Sequence, residues 1–146
     1  MRPSWDVYFC ELAKLTATRA TCTRRKVGCV ITRDNRVLAT GYNGALPGED
    51  HCTEVGCFML SGHCIRTNHA EVNAINDAAK RGVSLDGSTV YVTLQPCWNC
   101  LRQLISVGVK RVYYTERYPV DHELYARYHT LHDKSFVKYL NLDMVG

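Results

Sequence analysis

The chain has 146 residues, 46% of them hydrophobic, and a formal net charge of +4. These values are typical of one globular domain and argue against disordered, collagen-like and coiled-coil proteins. There is neither an apolar run of the roughly 20 residues that a membrane helix needs nor the apolar region of a signal peptide. We therefore expect a single cytoplasmic domain over 1–146 without a membrane partner, and the small charge does not favour nucleic acid.

The first predicted elements are a helix and a hairpin. Residues 4–20 predict a helix, with a serine at the N-cap and apolar residues at helical spacing. Residues 27–33 and 36–42 predict two strands, which the pair Asp34-Asn35 joins in a tight turn.

Residues 44–68 are rich in glycine, cysteine and histidine and show no sustained hydrophobic period. An irregular loop of this length is uncommon inside a domain unless it is functional. We therefore expect this Cys/His-rich loop to need an additional constraint.

Strand and helix patterns alternate in the second half of the chain. Such alternation predicts an α/β fold with a partly parallel sheet. The predicted helices span 69–81, 97–107 and 121–132, and the predicted strands span 89–94, 111–115 and 135–142.

Eight cysteines are the outlier in the composition. In a reducing compartment, clustered cysteines are more often metal ligands or catalytic groups than disulfide partners. Cys10 and Cys29 have apolar neighbours, so we expect both to be small buried core residues.

The central motif pairs His69 and Glu71 with a downstream Pro96-Cys97-x-x-Cys100. Each half opens a predicted helix and is a weak signal alone. Together they match the H-x-E…P-C-x-x-C signature of zinc deaminases.

Zinc chemistry explains this spacing. Two thiolates one helical turn apart and one imidazole supply three ligands, which leaves a fourth position open for water. Glu71, two residues from the histidine, can move protons at that position without binding the metal. The alternatives are a four-ligand structural zinc site and a dithiol redox pair, but a redox pair needs no upstream His-x-Glu.

The sequence resembles the deoxycytidylate (dCMP) deaminases of the cytidine deaminase superfamily over roughly 3–118. The resemblance lies in SWDVYF, CTRRKVG, GYNG, DHC…GC…GHC, HAEVNAI and PCWNC. It implies a three-layer α/β/α fold around a mixed sheet of about five strands. It also implies zinc-dependent conversion of dCMP to dUMP and ammonia, which supplies thymidylate synthesis. The alternative is a deaminase of the same fold that acts on a free nucleoside or on a base in RNA.

The resemblance also implies roles for residues around the substrate. Glu71 would carry protons while water attacks C4 of the cytosine ring. Asn43 could instead be a turn residue, Asn73 a polar residue on a half-exposed helix, and Tyr118 a packing residue. The implied substrate-binding residues are Asn43, Ala70, Asn73, Pro96 and Tyr118.

A second, structural zinc is implied for the Cys/His-rich loop. Four nitrogen and sulfur ligands with no open position would fix the loop beside the pocket. His51 and Cys64 compete with the neighbouring ligands, and free thiols are the alternative. The implied ligands are Cys22, Cys52, Cys57 and His63.

Regulation is implied by the resemblance alone. Family members are often hexamers that dCTP activates and dTTP inhibits, with Mg²⁺ accompanying the triphosphate. The basic cluster Arg24, Arg25 and Lys26 could hold the substrate phosphate or an effector triphosphate, or could be a solvated surface.

Overall fold

The structure is a computed structural model that describes residues 1–22, 25–60, 63–64, 66–118, 123, 127 and 137–142, with the backbone alone at 63 and 64. The helices with described bounds are α1 (Trp5–Ala17), α2 (Cys52–Val55), α3 (Ala70–Arg81) and α4 (Trp98–Ser106). The strands are β1 (Gly28–Arg33), β2 (Arg36–Tyr42), β3 (Gly44–Ala45), β4 (Met59–Leu60), β5 (His63–Cys64), β6 (Thr67–Asn68), β7 (Thr89–Val92), β8 (Arg111–Tyr114) and β9 (Val137–Tyr139).

The main sheet has five strands in the order β2-β1-β7-β8-β9. Strand β1 runs antiparallel to β2 and β7, whereas β7, β8 and β9 run parallel to one another. The predicted mixed sheet is therefore confirmed. The parallel pairing lies in the second half of the chain, where the strand–helix alternation predicted it.

Helices cover both faces of this sheet. Successive residues of a strand point to opposite faces. Val30 accordingly packs with Phe9 and Cys10 of α1, while its neighbours Cys29 and Ile31 pack with α3 and α4. The expected three-layer α/β/α arrangement is confirmed, and Cys10 and Cys29 are buried as predicted.

Local signals predicted most element ends within a few residues. Ser4 caps α1 by accepting a hydrogen bond from the backbone nitrogen of Val7 at 3.3 Å. Asp34 and Asn35 have φ angles of 53° and 59°, the positive values that a type I′ hairpin turn requires at both central residues. Gly82 ends α3 in the left-handed conformation.

Two glycines let helices touch the sheet directly. A Cβ on Gly41 would collide with backbone atoms of Ala70 and Ala74 in α3. A Cβ on Gly28 would collide with backbone atoms of Ala13 and Ala17 in α1. Each helix therefore lies against the strand backbone, and α3 is held at a fixed depth on β2.

The 44–68 segment is more ordered than the irregular loop we predicted. It contains the four-residue α2, and its short strands form two antiparallel pairs, β3 with β6 and β4 with β5. Strands of two residues are too short to leave a hydrophobic period, which is why the pattern predicted none.

The remaining predictions concern the C-terminal part of the chain. The helix predicted over 121–132 lies almost wholly outside the described residues. Within the strand predicted over 135–142, Val137–Tyr139 is observed as β9. None of the described helices combines the length and apolarity that crossing a bilayer requires. The single domain over 1–146 stays a prediction.

Candidate active site

Two helix N-termini bring the predicted zinc ligands together. His69 is the N-cap residue of α3, and Cys97 is the N-cap residue of α4. Cys100 follows in the first turn of α4 and is buried, while His69 is exposed. The ligand set thus opens to solvent on one side and rests on the core on the other.

The distances among these side chains fit one zinc ion. Nδ1 of His69 lies 3.3 Å from Sγ of Cys100 and 3.7 Å from Sγ of Cys97. Tetrahedral zinc, with bonds of about 2.0 Å to nitrogen and 2.3 Å to sulfur, holds these atoms roughly 3.6 Å apart. Among the described side chains, His69, Cys97 and Cys100 form the cluster that could hold a metal ion. The donor set therefore fits zinc and supplies three of its four ligands.

Glu71 is a buried carboxylate beside this donor set. It is 4% exposed. Burial raises its pKa, although the neighbouring His69 and a hydrogen bond with Cys100 act in the opposite direction. A raised pKa brings a carboxyl closer to the range in which it can both accept and release a proton.

The two thiols differ in acidity because they share hydrogen bonds. Bonds from Cys100 and then His69 lower the pKa of Cys97 to about 4, against the effect of burial. The hydrogen bond to Cys97, followed by burial, raises the pKa of Cys100. The hydrogen bond with Cys97 also raises the pKa of His69. The lowered pKa favours the thiolate form of Cys97, which is the form that binds metal.

Asn43 lies in the GYNG turn and holds a neighbouring backbone segment. Its Oδ1 accepts a hydrogen bond from the backbone nitrogen of Val27 at 2.8 Å, and its Nδ2 donates to the carbonyl of Arg25 at 2.6 Å. Asn43 does not adopt the left-handed conformation of the alternative turn interpretation. Its predicted contact with substrate stays a prediction.

Arg25, whose carbonyl accepts the hydrogen bond from Asn43, contacts Tyr118 through its side chain. The Arg25 guanidinium lies 5.4 Å from the centre of the Tyr118 ring and 3.9 Å from a carboxylate oxygen of Glu116. The backbone nitrogen of Tyr118 donates to Oε1 of Gln95, which precedes Pro96. These contacts bring both predicted residues next to the loop that carries Cys97.

The sequence did not predict Gln95 and Glu116 as members of this group. The backbone nitrogen of Gln95 donates to the carbonyl of Glu116 at 2.8 Å. An acidic residue two positions before a predicted site tyrosine was the available signal. Lys26 is exposed, and Arg24 lies outside the described residues.

The other predicted pocket residues belong to the helix starts. Ala70 is the first residue of α3, and Pro96 comes directly before the α4 cap; both are buried. Asn73 donates from Nδ2 to the carbonyl of Tyr42 at 2.8 Å. Its predicted role in substrate binding is not tested by these contacts.

The structure describes only part of the predicted second zinc site. Cys22 and Cys52 are buried and Cys57 is half-buried. The backbone nitrogen of Thr53 donates to the carbonyl of Thr21, which holds α2 beside the chain that carries Cys22. These three described cysteines do not form a group at metal-binding distance, and the side chain of His63 lies outside the described part. The second zinc therefore stays a prediction.

A three-layer α/β/α domain with a His-Cys-Cys donor set and a buried glutamate defines the class of zinc-binding deaminase domains. Residues 3–116 match the family model described as the cytidine and deoxycytidylate deaminase zinc-binding region. The chain belongs to this family.

Curated relatives and a solved structure agree with this assignment. The chain is 49% identical over 117 residues to ComE operon protein 2 of Bacillus subtilis, covering 80% of this chain and 62% of the relative. It is 40% identical over 129 residues to the deoxycytidylate deaminase of Saccharomyces cerevisiae, covering 84% of this chain and 41% of the relative. The chain thus spans less than two thirds of these relatives.

The fold is also similar to that of a phage enzyme. A crystal structure of dCMP deaminase from the cyanophage S-TIM5, in complex with dCMP and dUMP, superimposes with a TM-score of 0.75 at 29% identity. The match covers 97% of this chain and 98% of the phage chain.

Proposed function

We propose that this chain catalyses the hydrolytic deamination of dCMP to dUMP and ammonia, and thereby supplies dUMP for thymidylate synthesis. The observation that carries the proposal is the buried Glu71 beside three donors at zinc spacing. The names of the yeast relative and the cyanophage structure support dCMP as the substrate.

His69, Cys97 and Cys100 would hold the zinc. When bound there, zinc would supply Lewis acidity, which lowers the pKa of water to about 7. Cys97 suits this role because its pKa is lowered at the start of α4, where the helix N-terminus favours a thiolate. Cys100 would lose its proton on binding the metal.

Glu71 would move both protons of the reaction. It accepts one proton from the attacking water and donates it to N3 of the cytosine ring as the water oxygen bonds to C4. It then moves the proton of the hydroxyl group now bonded to C4 to the exocyclic amino group. The C4–N bond breaks, the C4=O bond of dUMP forms, and ammonia leaves. Burial raises the pKa of Glu71, which moves the group towards the role of proton carrier.

The remaining pocket residues would bind the nucleotide. We place Ala70 and Pro96 against the base because both flank the metal ligands, and Asn43 near the sugar. Tyr118 and Arg25 would face the 5′-phosphate, since a guanidinium matches phosphate oxygens. Their contact with each other beside the Cys97 loop supports this placement.

Further properties of the proposed enzyme rest on the family resemblance of the sequence alone. We propose dCTP as activator and dTTP as inhibitor, with Mg²⁺ accompanying the triphosphate, in a hexamer of this chain. Arg25, Lys26 and Arg24 are the candidates for triphosphate contact. We also propose a structural zinc at Cys22, Cys52, Cys57 and His63; the cytoplasmic location stays a prediction.

The test is a substrate panel on the zinc-loaded chain. Ammonia release is measured with dCMP, deoxycytidine and a cytosine-containing RNA oligonucleotide, each with and without dCTP and Mg²⁺. Preference for dCMP supports the proposal, and a rise with dCTP supports regulation. Preference for deoxycytidine or for the oligonucleotide would replace dCMP as the substrate within the same chemistry.

A further inference from the structure

Strand β2 forms one edge of the main sheet. Alternate residues of an antiparallel edge strand direct their backbone N–H and C=O groups away from the neighbouring strand. Such unpaired groups attract other strands, so natural proteins usually cover or block them. The edge of β2 is covered here by side chains of α3.

Side chains at every fourth position of α3 bond to alternate residues of β2. Nδ2 of Asn73 donates to the carbonyl of Tyr42 at 2.8 Å. The backbone nitrogen of Thr40 donates to Oδ2 of Asp77 at 3.4 Å. The guanidinium of Arg81 donates to the carbonyl of Leu38. We call Asn73, Asp77 and Arg81 the α3 polar row.

The two repeats match in length. Four helical residues rise about 6.0 Å, and two residues of a strand rise about 6.8 Å. The α3 polar row therefore contacts three alternate residues along the edge of β2. The helix and the strand run in opposite directions. A helix joined to a strand in this way has little freedom to slide or rotate, and the close contact at Gly41 already sets its depth.

Asn73 connects this row to the candidate active site. Its backbone nitrogen donates to the carbonyl of His69 at 3.0 Å, which closes the first turn of α3. That turn contains Glu71. One residue thus closes the turn through its backbone and fastens the turn to β2 through its side chain.

The Asn73 amide is engaged within the protein at both ends. Besides the bond from Nδ2 to Tyr42, its Oδ1 accepts from Nδ2 of Asn68 at 3.4 Å. Asn68 belongs to β6, the strand directly before His69. The amide therefore bonds to the residues on both sides of the first turn of α3.

We propose that Asn73 is a positioning residue: through the Tyr42 carbonyl it holds the first turn of α3, and hence Glu71 and His69, in register with the sheet. The proposal rests on the proposed function. It differs from the predicted substrate-binding role, because Asn73 would act through Glu71 and not through a contact with the nucleotide.

The test compares Asn73→Ala and Asn73→Gln with the wild-type chain, each loaded with zinc. Displacement of a catalytic group by about 1 Å can reduce rate up to a hundredfold. We expect Asn73→Ala to lower kcat by about tenfold or more while KM for dCMP changes less than about threefold. Asn73→Gln keeps the amide donor and is expected to recover part of the loss.

Arg33→Met is the matched control. Arg33 also bonds through its side chain to backbone carbonyls, those of Ser84 at 2.9 Å and Asp86 at 3.0 Å, beside the hairpin turn. Its loss is expected to lower Tm without changing kcat.

A second measurement does not use activity. Hydrogen exchange should show faster exchange in the first turn of α3 for Asn73→Ala, at the backbone amide of residue 73, and no change there for Arg33→Met. Activity of the wild-type chain on dCMP tests the proposed function separately. If the wild-type chain does not turn over dCMP, the proposed function fails, but the hydrogen-exchange comparison still tests the role of Asn73.

Two results would overturn the proposal. If Asn73→Ala raises KM more than tenfold at unchanged kcat, Asn73 binds substrate directly. If Asn73→Ala lowers Tm but, like Arg33→Met, changes neither kcat nor the hydrogen exchange of the first turn of α3, Asn73 has only a structural role.

Discussion

Two regions of the chain carry the same residue types, cysteine and histidine, but are built differently. His69, Cys97 and Cys100 lie at the starts of helices of 12 and 9 residues, packed on the sheet through side chains such as Ala74 and Leu101, which are fully buried. The described part of the Cys/His-rich segment 44–68 contains a four-residue helix and two-residue strands.

Burial differs between the regions in the same way. In the 44–68 segment, large apolar side chains such as Phe58, Met59 and Leu60 are about half exposed, so they add little to a core. Regular elements can fix three donors at zinc distances before metal arrives. A segment made of such short elements depends far more on a metal for its order. The difference predicts a functional metal at the first site and a structural metal at the second.

Loss of a ligand at the first site should give the largest effect on activity. Cys97→Ser removes one of three proposed ligands, so zinc content should fall by one ion per chain and turnover should fall below detection. Metal analysis and ammonia release measure both. Cys10→Ala, in the core on the other face of the sheet, should lose stability but keep zinc. Full zinc content in Cys97→Ser would contradict the ligand assignment.

Loss of a ligand in the 44–68 segment should affect stability more than chemistry. Cys52→Ser should lower bound zinc from about two ions per chain to about one, because a structural site needs all four ligands. Tm should fall, and turnover should persist at temperatures below the new Tm. Metal analysis with thermal unfolding makes the comparison, and unchanged metal content would refute the second site.

The contact between α3 and β2 should show how far the first site depends on packing. In Gly41→Ala the new Cβ meets backbone atoms that cannot move aside, so α3 must shift. We expect a loss of about 1–3 kcal/mol in the free energy of unfolding, together with lower turnover. Gly44→Ala is the control, because its new Cβ meets side-chain atoms at 3.3 Å or more. Equal stability of the two variants would contradict the close contact.

The smallest predicted effect concerns pH and the Asp77–Arg81 pair of the α3 polar row. The hydrogen bond from Arg81, followed by that from Thr40 as a smaller contribution, lowers the pKa of Asp77 below its ordinary value of 3.8. A carboxyl with a lower pKa in the folded state stabilises the fold above its unfolded pKa. This contribution is lost as pH falls through the folded pKa.

Because the pair is partly exposed, we expect about 0.3–0.5 kcal/mol at pH 7. Urea unfolding of Asp77→Asn and wild type should differ by that amount at pH 7, and the difference should disappear as pH falls through the lowered pKa of folded Asp77. Glu11→Gln, which removes an exposed pair with Lys14, is the control for general charge effects. A difference that stays constant down to acidic pH would rule out the ionised carboxylate as its source.

The sequence predicted the parts that local patterns determine. Ser4, the Asp34-Asn35 turn and Gly82 marked element ends because each acts on its immediate neighbours. The His-x-Glu and Cys-x-x-Cys spacings indicated the zinc ligands because helix geometry fixes which side chains meet within one turn.

The parts that depend on distant segments were not predictable. Asn73 and Tyr42 are 31 residues apart in the chain, and Arg25 and Glu116, whose side chains meet at 3.9 Å, are farther apart still. Neither pair leaves a periodic or compositional signal. The bonds of Asn43 to the 25–27 backbone likewise appear only when the fold brings the GYNG turn beside that segment.

The measurement that tests the central claim most directly compares Glu71→Gln with the wild-type chain on dCMP, with zinc counted in both. General acid–base groups typically contribute about 10²–10⁴-fold to rate, so turnover by the variant should fall by that range. Zinc content and Tm should stay at wild-type values, because Glu71 is not a proposed ligand. Wild-type turnover in a zinc-loaded Glu71→Gln would contradict the assignment of Glu71 as the proton carrier.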